Sequence, residues 1–179
     1  MERSVVIAGF GGQGVILAGK ILAQAGMDHG LEVTWLPSYG PEMRGGTANC
    51  TVVLSDEPVG SPIIDEPSSL IAMNRPSLDK FEPIIASGGA IVINQSLIDR
   101  KAERDDITAS YVRLNDIAIE VGNTRAINMV ALGAFLKATG VVPLETVKAT
   151  MTEMMEASGK AKFAPLNEQA LEAGFNAVA

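Results

Sequence analysis

The stretch that most constrains this chain is Val5–Gly14, VVIAGFGGQG, an apolar run that stops on a cluster of glycines. Val5, Val6, Ile7 and Ala8 are consecutive and rich in β-branching, which predicts a strand buried on both faces of a parallel sheet. Gly9, Gly11 and Gly14 then fall on the spacing G-x-G-x-x-G, and a helical pattern over Val15–His29 follows directly. Strand, glycine turn and helix in that order are the context a dinucleotide fingerprint requires. Glycines permit positive φ and let backbone N–H groups approach an anion at the helix N-terminus, where the macrodipole also favours negative charge. The plainer reading is a tight turn that lets helix and strand pack closely.

A standard dinucleotide site also needs an acid roughly 20 residues further on, at the end of the second strand, to hold the ribose. The second strand predicted here, Leu31–Leu36, ends in Pro37, Ser38 and Tyr39, and Glu32 lies at its beginning. The usual ribose anchor is therefore missing. This argues against an ordinary NAD site and leaves a free-standing dinucleotide-binding module as an alternative reading.

With 179 residues the chain fits one domain, 1–179, large enough for a substantial core. Hydrophobic residues make up 47% and aromatics 4%, so that core must be aliphatic, as in β/α proteins. The net charge is −7 and the basic residues are scattered from Arg3 to Lys162, which disfavours a nucleic-acid surface. The single cysteine, Cys50, forms no intrachain disulfide and builds no multi-thiolate metal site. No apolar stretch reaches bilayer length and no signal segment precedes the first strand, so the expectation is a cytoplasmic protein with no membrane partner.

Further strands are predicted at Ala48–Leu54, Ser69–Met73, Ala90–Asn94 and Ile107–Leu114. Helices are predicted from Asn74 to about Ala86, from Asn115 or Asp116 to Val121, over Thr124–Thr139, over Val142–Ala157, and from an Asn167 cap to Val178, with Lys160–Pro165 as a linker. The alternation gives a three-layer α/β/α fold with a mostly parallel, Rossmann-like sheet. Arg100–Asp106, RKAERDD, reads as a solvated charged turn. His29, in the last turn of the first helix, reads as a surface residue complementing the dipole. In the Thr124–Thr139 helix Asn128 and Arg125 are out of character, and the small residues Ala126, Ala131, Gly133 and Ala134 allow a close neighbour. Met129, Met151, Met154 and Met155 read as core filling, although methionine also suits contact surfaces.

The second unusual stretch is Ser38–Gly46, SYGPEMRGG, with Tyr39, Glu42, Arg44, Gly45 and Gly46 between two strands. It follows the second strand, so it should emerge at the sheet edge where the first glycine turn lies and where ligands of open α/β sheets bind.

Three stretches in register, GFGGQG at Gly9–Gly14, SYGPEMRGG at Ser38–Gly46 and NMVALGAFLKATG at Asn128–Gly140, make the chain resemble the gamma subunit of 2-oxoacid:ferredoxin oxidoreductases, equivalent to the gamma domain of pyruvate:ferredoxin oxidoreductase. The resemblance implies a subunit that works inside a larger enzyme, with alpha and beta subunits, a ferredoxin-like delta subunit and ferredoxin as partners. It implies oxidative decarboxylation of a 2-oxoacid to an acyl-CoA, with thiamine diphosphate, magnesium, iron–sulfur clusters and coenzyme A in the whole complex and no cofactor bound by this chain alone. No nucleophile–base pair supported by spacing is present, so no catalytic residue and no metal ligand is expected within it. Gly9, Gly11, Gly12, Gln13, Gly14, Ser38, Tyr39, Glu42, Arg44, Gly45, Gly46 and Asn128 are the residues expected to line a shared active-site cleft. A subunit whose glycine loops serve assembly alone is the remaining alternative.

Overall fold

The computed structural model describes residues 1–38 and 47–179. Strand β1 (Glu2–Phe10) runs into the glycine turn and helix α1 (Val15–Asp28), which leads to β2 (Glu32–Ser38). Then come β3 (Thr47–Ser55), β4 (Ser69–Ala72), α2 (Arg75–Phe81), β5 (Ala90–Asn94) and β6 (Thr108–Val112). The chain closes with α3 (Leu114–Val121), α4 (Ile127–Thr139), α5 (Leu144–Ala157) and α6 (Ala164–Asn176). Among the described residues no helix is long and apolar enough to cross a membrane.

The six strands form one sheet in the order β2-β3-β1-β4-β5-β6. Strands β1, β4, β5 and β6 pair in parallel, as expected. Strand β3 pairs antiparallel with both β1 and β2, so it separates them. The cause is visible in the chain length: residues 39–46 join β2 to β3, and a parallel crossover needs about a dozen residues or more. Strand β2 ends up at the sheet edge, where Pro37 is tolerated because an edge strand has one side without ladder partners.

One face of the sheet carries α1, α3, α4, α5 and α6 over a core that includes Val5, Ile7, Ile71, Met73 and Val92. The opposite face is covered by α2 and the segment before β6, over Val6, Ala8, Leu70, Ala72, Ile91 and Ile93. Helix α1 lies close to the β2–β3 hairpin because Gly19 and Gly26 face it: a Cβ at Gly19 would overlap Cys50 Sγ, and one at Gly26 would overlap Leu54. Helices α4 and α6 meet in the same way, with Gly133 against the backbone of Leu171 and Gly174 against that of Val130. The small-residue stripe read from the sequence therefore has its neighbour.

Several boundaries differ from expectation. Helix α2 stops at Phe81 and tightens into a 3-10 turn over Glu82–Ile84. Pro83 removes an N–H and its ring opposes continuation of the helix. Helix α3 starts at Leu114, so neither Asn115 nor Asp116 is its cap; Asn115 instead accepts from Asn94 Nδ2 at 2.8 Å. Asn167 lies inside α6, whose first turn contains Pro165, and its amide donates to Phe163 O at 2.8 Å. The expected linker before it contains a 3-10 turn, Ala161–Phe163.

The charged segment Arg100–Asp106 is organised around a buried carboxylate. Glu82, 2% exposed, accepts from Arg100 Nη1 at 2.9 Å and from the backbone N–H groups of Glu103 and Arg104 at 2.6 and 3.1 Å. An ionised group so deeply placed must be paired and hydrogen-bonded, and these donors meet that requirement.

Candidate functional site

The glycine turn closes on itself through Gln13. Its side-chain oxygen accepts from Phe10 N–H at 2.6 Å, and Gln13 N–H donates to Phe10 O at 3.2 Å. Gly9 makes room for this contact, since a Cβ there would stand 2.6 Å from Gln13 Oε1 and 2.7 Å from Met73 Cβ. Gln13 is thus committed to holding the turn. Gly12 and Gly14 have φ values of +90° and +75°, the left-handed region that side chains other than glycine resist.

Asn128, near the start of α4 and 6% exposed, ties this turn to the rest of the core. Its Nδ2 donates to Gly14 O at 3.1 Å, and its Oδ1 accepts from Met129 N–H at 3.0 Å. A Cβ on Gly14 would come within 2.5 Å of that nitrogen. The polar residue singled out in an apolar helix therefore serves the turn read from the other end of the chain. Arg125, by contrast, precedes α4, and its N–H donates to Asn123 Oδ1 at 3.2 Å. His29 is exposed at the C-terminal end of α1, where its N–H donates to Ala25 O at 2.9 Å.

Helix α1 begins with no side-chain cap and no acidic residue in its first turn. The N–H groups of a first helical turn have no intrahelical acceptor, and the dipole adds partial positive charge there. Beside this end opens a cleft of about 500 Å³, lined by Phe10, Gly11, Gly12, Ile16, Leu17, Lys20, Trp35 and Ala48. Gly11, Gly12, Leu17 and Lys20 are exposed in it, whereas Gln13 and Gly14 are half-buried. An uncapped helix end, a lysine and apolar walls suit a ligand that joins an anionic group to an apolar portion.

Ser38 stands level with this turn. It pairs with Asn49, which pairs with Ala8, and Thr47 pairs with Phe10. Both ends flanking residues 39–46 therefore lie at the edge where β1 delivers the glycines. Tyr39, Glu42, Arg44, Gly45 and Gly46 themselves lie outside the described residues. Gly9, Gly11, Gly12, Gln13, Gly14 and Asn128 are brought together, and exposed Ser38 sits on the same edge with β3 between it and β1.

Sequence reasoning did not single out Lys20, Leu17 or Trp35 for this site. Lys20 lies one turn and a half beyond Gly14, a spacing that could have marked it. Trp35 lines the cleft from the edge strand β2, across β3 from the glycine turn, a placement set by the sheet order. Cys50 is fully buried, its thiol donating to Val15 O at 3.4 Å, and burial pushes its pKa up to about 12. A sealed thiol of that kind is unsuited to ligating an iron–sulfur cluster. Among the described residues no group of 3 or more His, Cys, Asp and Glu side chains is placed to hold a metal ion. A second cavity, about 190 Å³, lies at the opposite sheet edge beside Arg3, Ser69, Ala90 and Thr108 and touches the Asn128–Gly140 stretch only at Phe135, Ala138 and Thr139, away from Asn128 and the glycine turn.

Comparisons with known proteins give the family. Residues 4–177 match the family described as pyruvate ferredoxin/flavodoxin oxidoreductase. The chain is 42% identical over 173 residues to the ketoisovalerate oxidoreductase subunit VorA of Methanothermobacter marburgensis, covering 97% of this chain and 36% of that protein. It thus spans about a third of that relative's length. Its fold is similar to the keto/oxoacid ferredoxin oxidoreductase gamma subunit of Geobacter sulfurreducens, with TM-score 0.83, 29% identity, and coverage of 98% and 97% of the two chains. It is also similar to the 2-oxoglutarate:ferredoxin oxidoreductase of Magnetococcus marinus, solved with 2-oxoglutarate, coenzyme A and succinyl-CoA bound, with TM-score 0.87, 25% identity, and coverage of 98% of this chain and 31% of that one. With the family model matching residues 4–177 and the fold shared with the Geobacter gamma subunit over 98% of this chain, the chain belongs to the pyruvate ferredoxin/flavodoxin oxidoreductase family, among the gamma subunits of the 2-oxoacid:ferredoxin oxidoreductases.

Proposed function

We propose that this chain, as one gamma-type domain over residues 1–179, helps to build the active-site cleft of a multisubunit enzyme. That enzyme oxidatively decarboxylates a 2-oxoacid to an acyl-CoA and passes the electrons to ferredoxin. Alpha and beta subunits and a ferredoxin-like delta subunit complete it. Thiamine diphosphate with magnesium supplies the carbanion stabilisation, and iron–sulfur clusters carry the electrons; both belong to the partners. Cys50 is sealed in the core, which supports placing the clusters outside this chain.

The observation that carries the reading is the convergence of β1, β2 and Asn128 on one sheet edge beside an uncapped helix end and a cleft of about 500 Å³. On this reading the backbone from Gly11 to Gly14 and Lys20 meet an anionic part of a ligand, and Phe10, Leu17 and Trp35 give it apolar walls. Gln13 and Asn128 act as positioning residues, because Gln13 Oε1 and Asn128 Nδ2 are spent on fixing the turn. Tyr39, Glu42 and Arg44, in the segment that joins β2 to β3, are assigned to the same cleft, with Arg44 pairing with a carboxylate or phosphate.

The test is 2-oxoacid-dependent and coenzyme A-dependent reduction of a viologen dye. The purified chain alone should give none, and the reconstituted complex should lose activity when this chain is omitted. Robust turnover by the chain alone would sink the proposal. Arg44→Ala should weaken the affinity of the complex for the 2-oxoacid or coenzyme A, and unchanged values for both would remove Arg44 from the site.

A further inference from the structure

Helices α1 and α5 pack antiparallel. Thr150 Oγ1 of α5 donates to Asp28 Oδ2 at the end of α1 at 2.6 Å, whereas Met154, Met155 and Ser158 share a groove with Leu17 and Lys20 at its beginning. The groove encloses about 190 Å³. Leu17 and Lys20 line both it and the cleft beside the glycine turn, so the two are neighbouring compartments with a common wall. Phe10 and Leu17 are 42% and 45% exposed along this strip. The methionines divide accordingly: Met129 and Met151 are buried core, and Met154 and Met155 are only partly covered.

The charge on this strip opposes that of the chain. The net charge is −7, yet the groove is rimmed by two exposed lysines, Lys20 and Lys160. Neither takes part in an ion pair among the described residues. Lys160 is held in place by its own backbone, whose N–H donates to Met155 O at 2.7 Å after Gly159 turns with φ +73°. That arrangement ends α5 in a Schellman-type cap. Glu153 and Glu156 belong to α5 as well, but at about 100° per residue they project from the side opposite Met151, Met154, Met155 and Ser158.

We propose that this strip is the docking surface for an acidic amphipathic helix of a partner subunit, seated in the α1–α5 groove with its apolar side chains among the methionines and its carboxylates on Lys20 and Lys160. The proposal rests on the multisubunit reading above, although it uses different residues from those given roles toward substrate, Lys20 and Leu17 excepted. A groove between two helices receives a third through apolar anchors at i, i+3 or i+4, and i+7, and methionine adapts to such anchors. In two longer relatives a similar unit is part of a larger chain. There a unit like this one is 36% or 31% of a chain, so the remainder is tethered to it covalently. On this strip, exposed apolar groups rimmed by Lys20 and Lys160, which form no ion pair among the described residues, give an acidic neighbour its seat.

The experiment uses the complex purified through a partner subunit. Benzoylphenylalanine at Leu17 should crosslink, on irradiation, to an acidic helical segment of a partner, located by mass spectrometry. The double variant Lys20→Glu/Lys160→Glu should lower the affinity of the chain for the complex at least tenfold and flatten its dependence on salt, with the unfolding midpoint of the isolated chain unchanged. Crosslinks to a second copy of this chain, to a non-acidic segment or to nothing would overturn the proposal, as would wild-type affinity in the charge-reversed variant. Viologen reduction by the wild-type complex separates the two readings: a complex that turns over but crosslinks elsewhere refutes the docking surface and leaves the function standing.

Discussion

Gly14→Ala tests the turn most directly. Gly14 sits at φ +75° and ψ 24°, where an alanine is strained by about 1–2 kcal/mol. The new methyl would also stand 2.5 Å from Asn128 Nδ2 and 2.8 Å from its Cγ. Asn128 must therefore swing away, and its buried amide loses the bond to Gly14 O, at about 1–3 kcal/mol. The sum is about 2–5 kcal/mol, which for a chain of this size lowers the unfolding midpoint by about 10 °C. Gly12→Ala is the internal control: φ is +90° but nothing lies within 4 Å, so strain alone applies, at about 1–2 kcal/mol. Asn128→Ala removes the obstacle, and Gly14 O keeps its second donor, Ala18 N–H at 3.0 Å. The double variant Gly14→Ala/Asn128→Ala should then be more stable than the two single losses added together, because the residues touch. Urea unfolding of the four variants measures all of this. Equal losses at Gly14 and Gly12, with strict additivity to Asn128, would refute the claim that Asn128 braces the turn.

Three further outcomes follow from the packing and the charges. Gly133→Ala and Gly174→Ala each place a methyl against a helix backbone that has no rotamer to change, and each should cost about 3 kcal/mol in chemical denaturation; near wild-type stability would mean that α4 and α6 are further apart. The bidentate Arg104 guanidinium, at 2.6 and 2.8 Å, pulls the Asp106 carboxyl down to about 2. Its contribution is present above the unfolded carboxyl value near 4 and is lost as pH falls toward 2, so Asp106→Asn should flatten the stability profile in that window and leave it unchanged in slope at neutral pH. Cys50 should resist iodoacetamide at pH 8 in the native chain and react fully in denaturant, and rapid native labelling would show that the α1–β3 contact opens.

Much of the fold was legible because the signals are local. The apolar run Val5–Ala8, the helical spacing from Val15 and the strand Ala90–Asn94 appear where expected. The misplaced caps at Asn115 and Asn167 read alike in the sequence but differ in the fold, Asn167 bonding the Phe163 carbonyl at the start of its own helix. A polar residue near a helix start looks the same in sequence whether it bonds its own helix or, as Asn115 does, a side chain from another element. The charged segment 100–106 read as solvated because the buried partner, Glu82, lies 18 residues before Arg100 and announces nothing of its burial. For the site, the glycines and Asn128 were legible as oddities of composition, but their contact spans 114 positions. The cleft walls were not legible, since Leu17 and Lys20 look like ordinary helix-surface residues.

What the sequence determined by itself is the sequence of elements and the turn that organises them, because hydrophobic period, β-branching and glycine placement act within a few residues. Only the tertiary structure decided that β3 separates β1 from β2, that α5 returns its partly covered methionines to the beginning of α1, and that Asn128 closes the turn. Those outcomes depend on which faces meet across the whole chain, a matter of packing that no single segment carries.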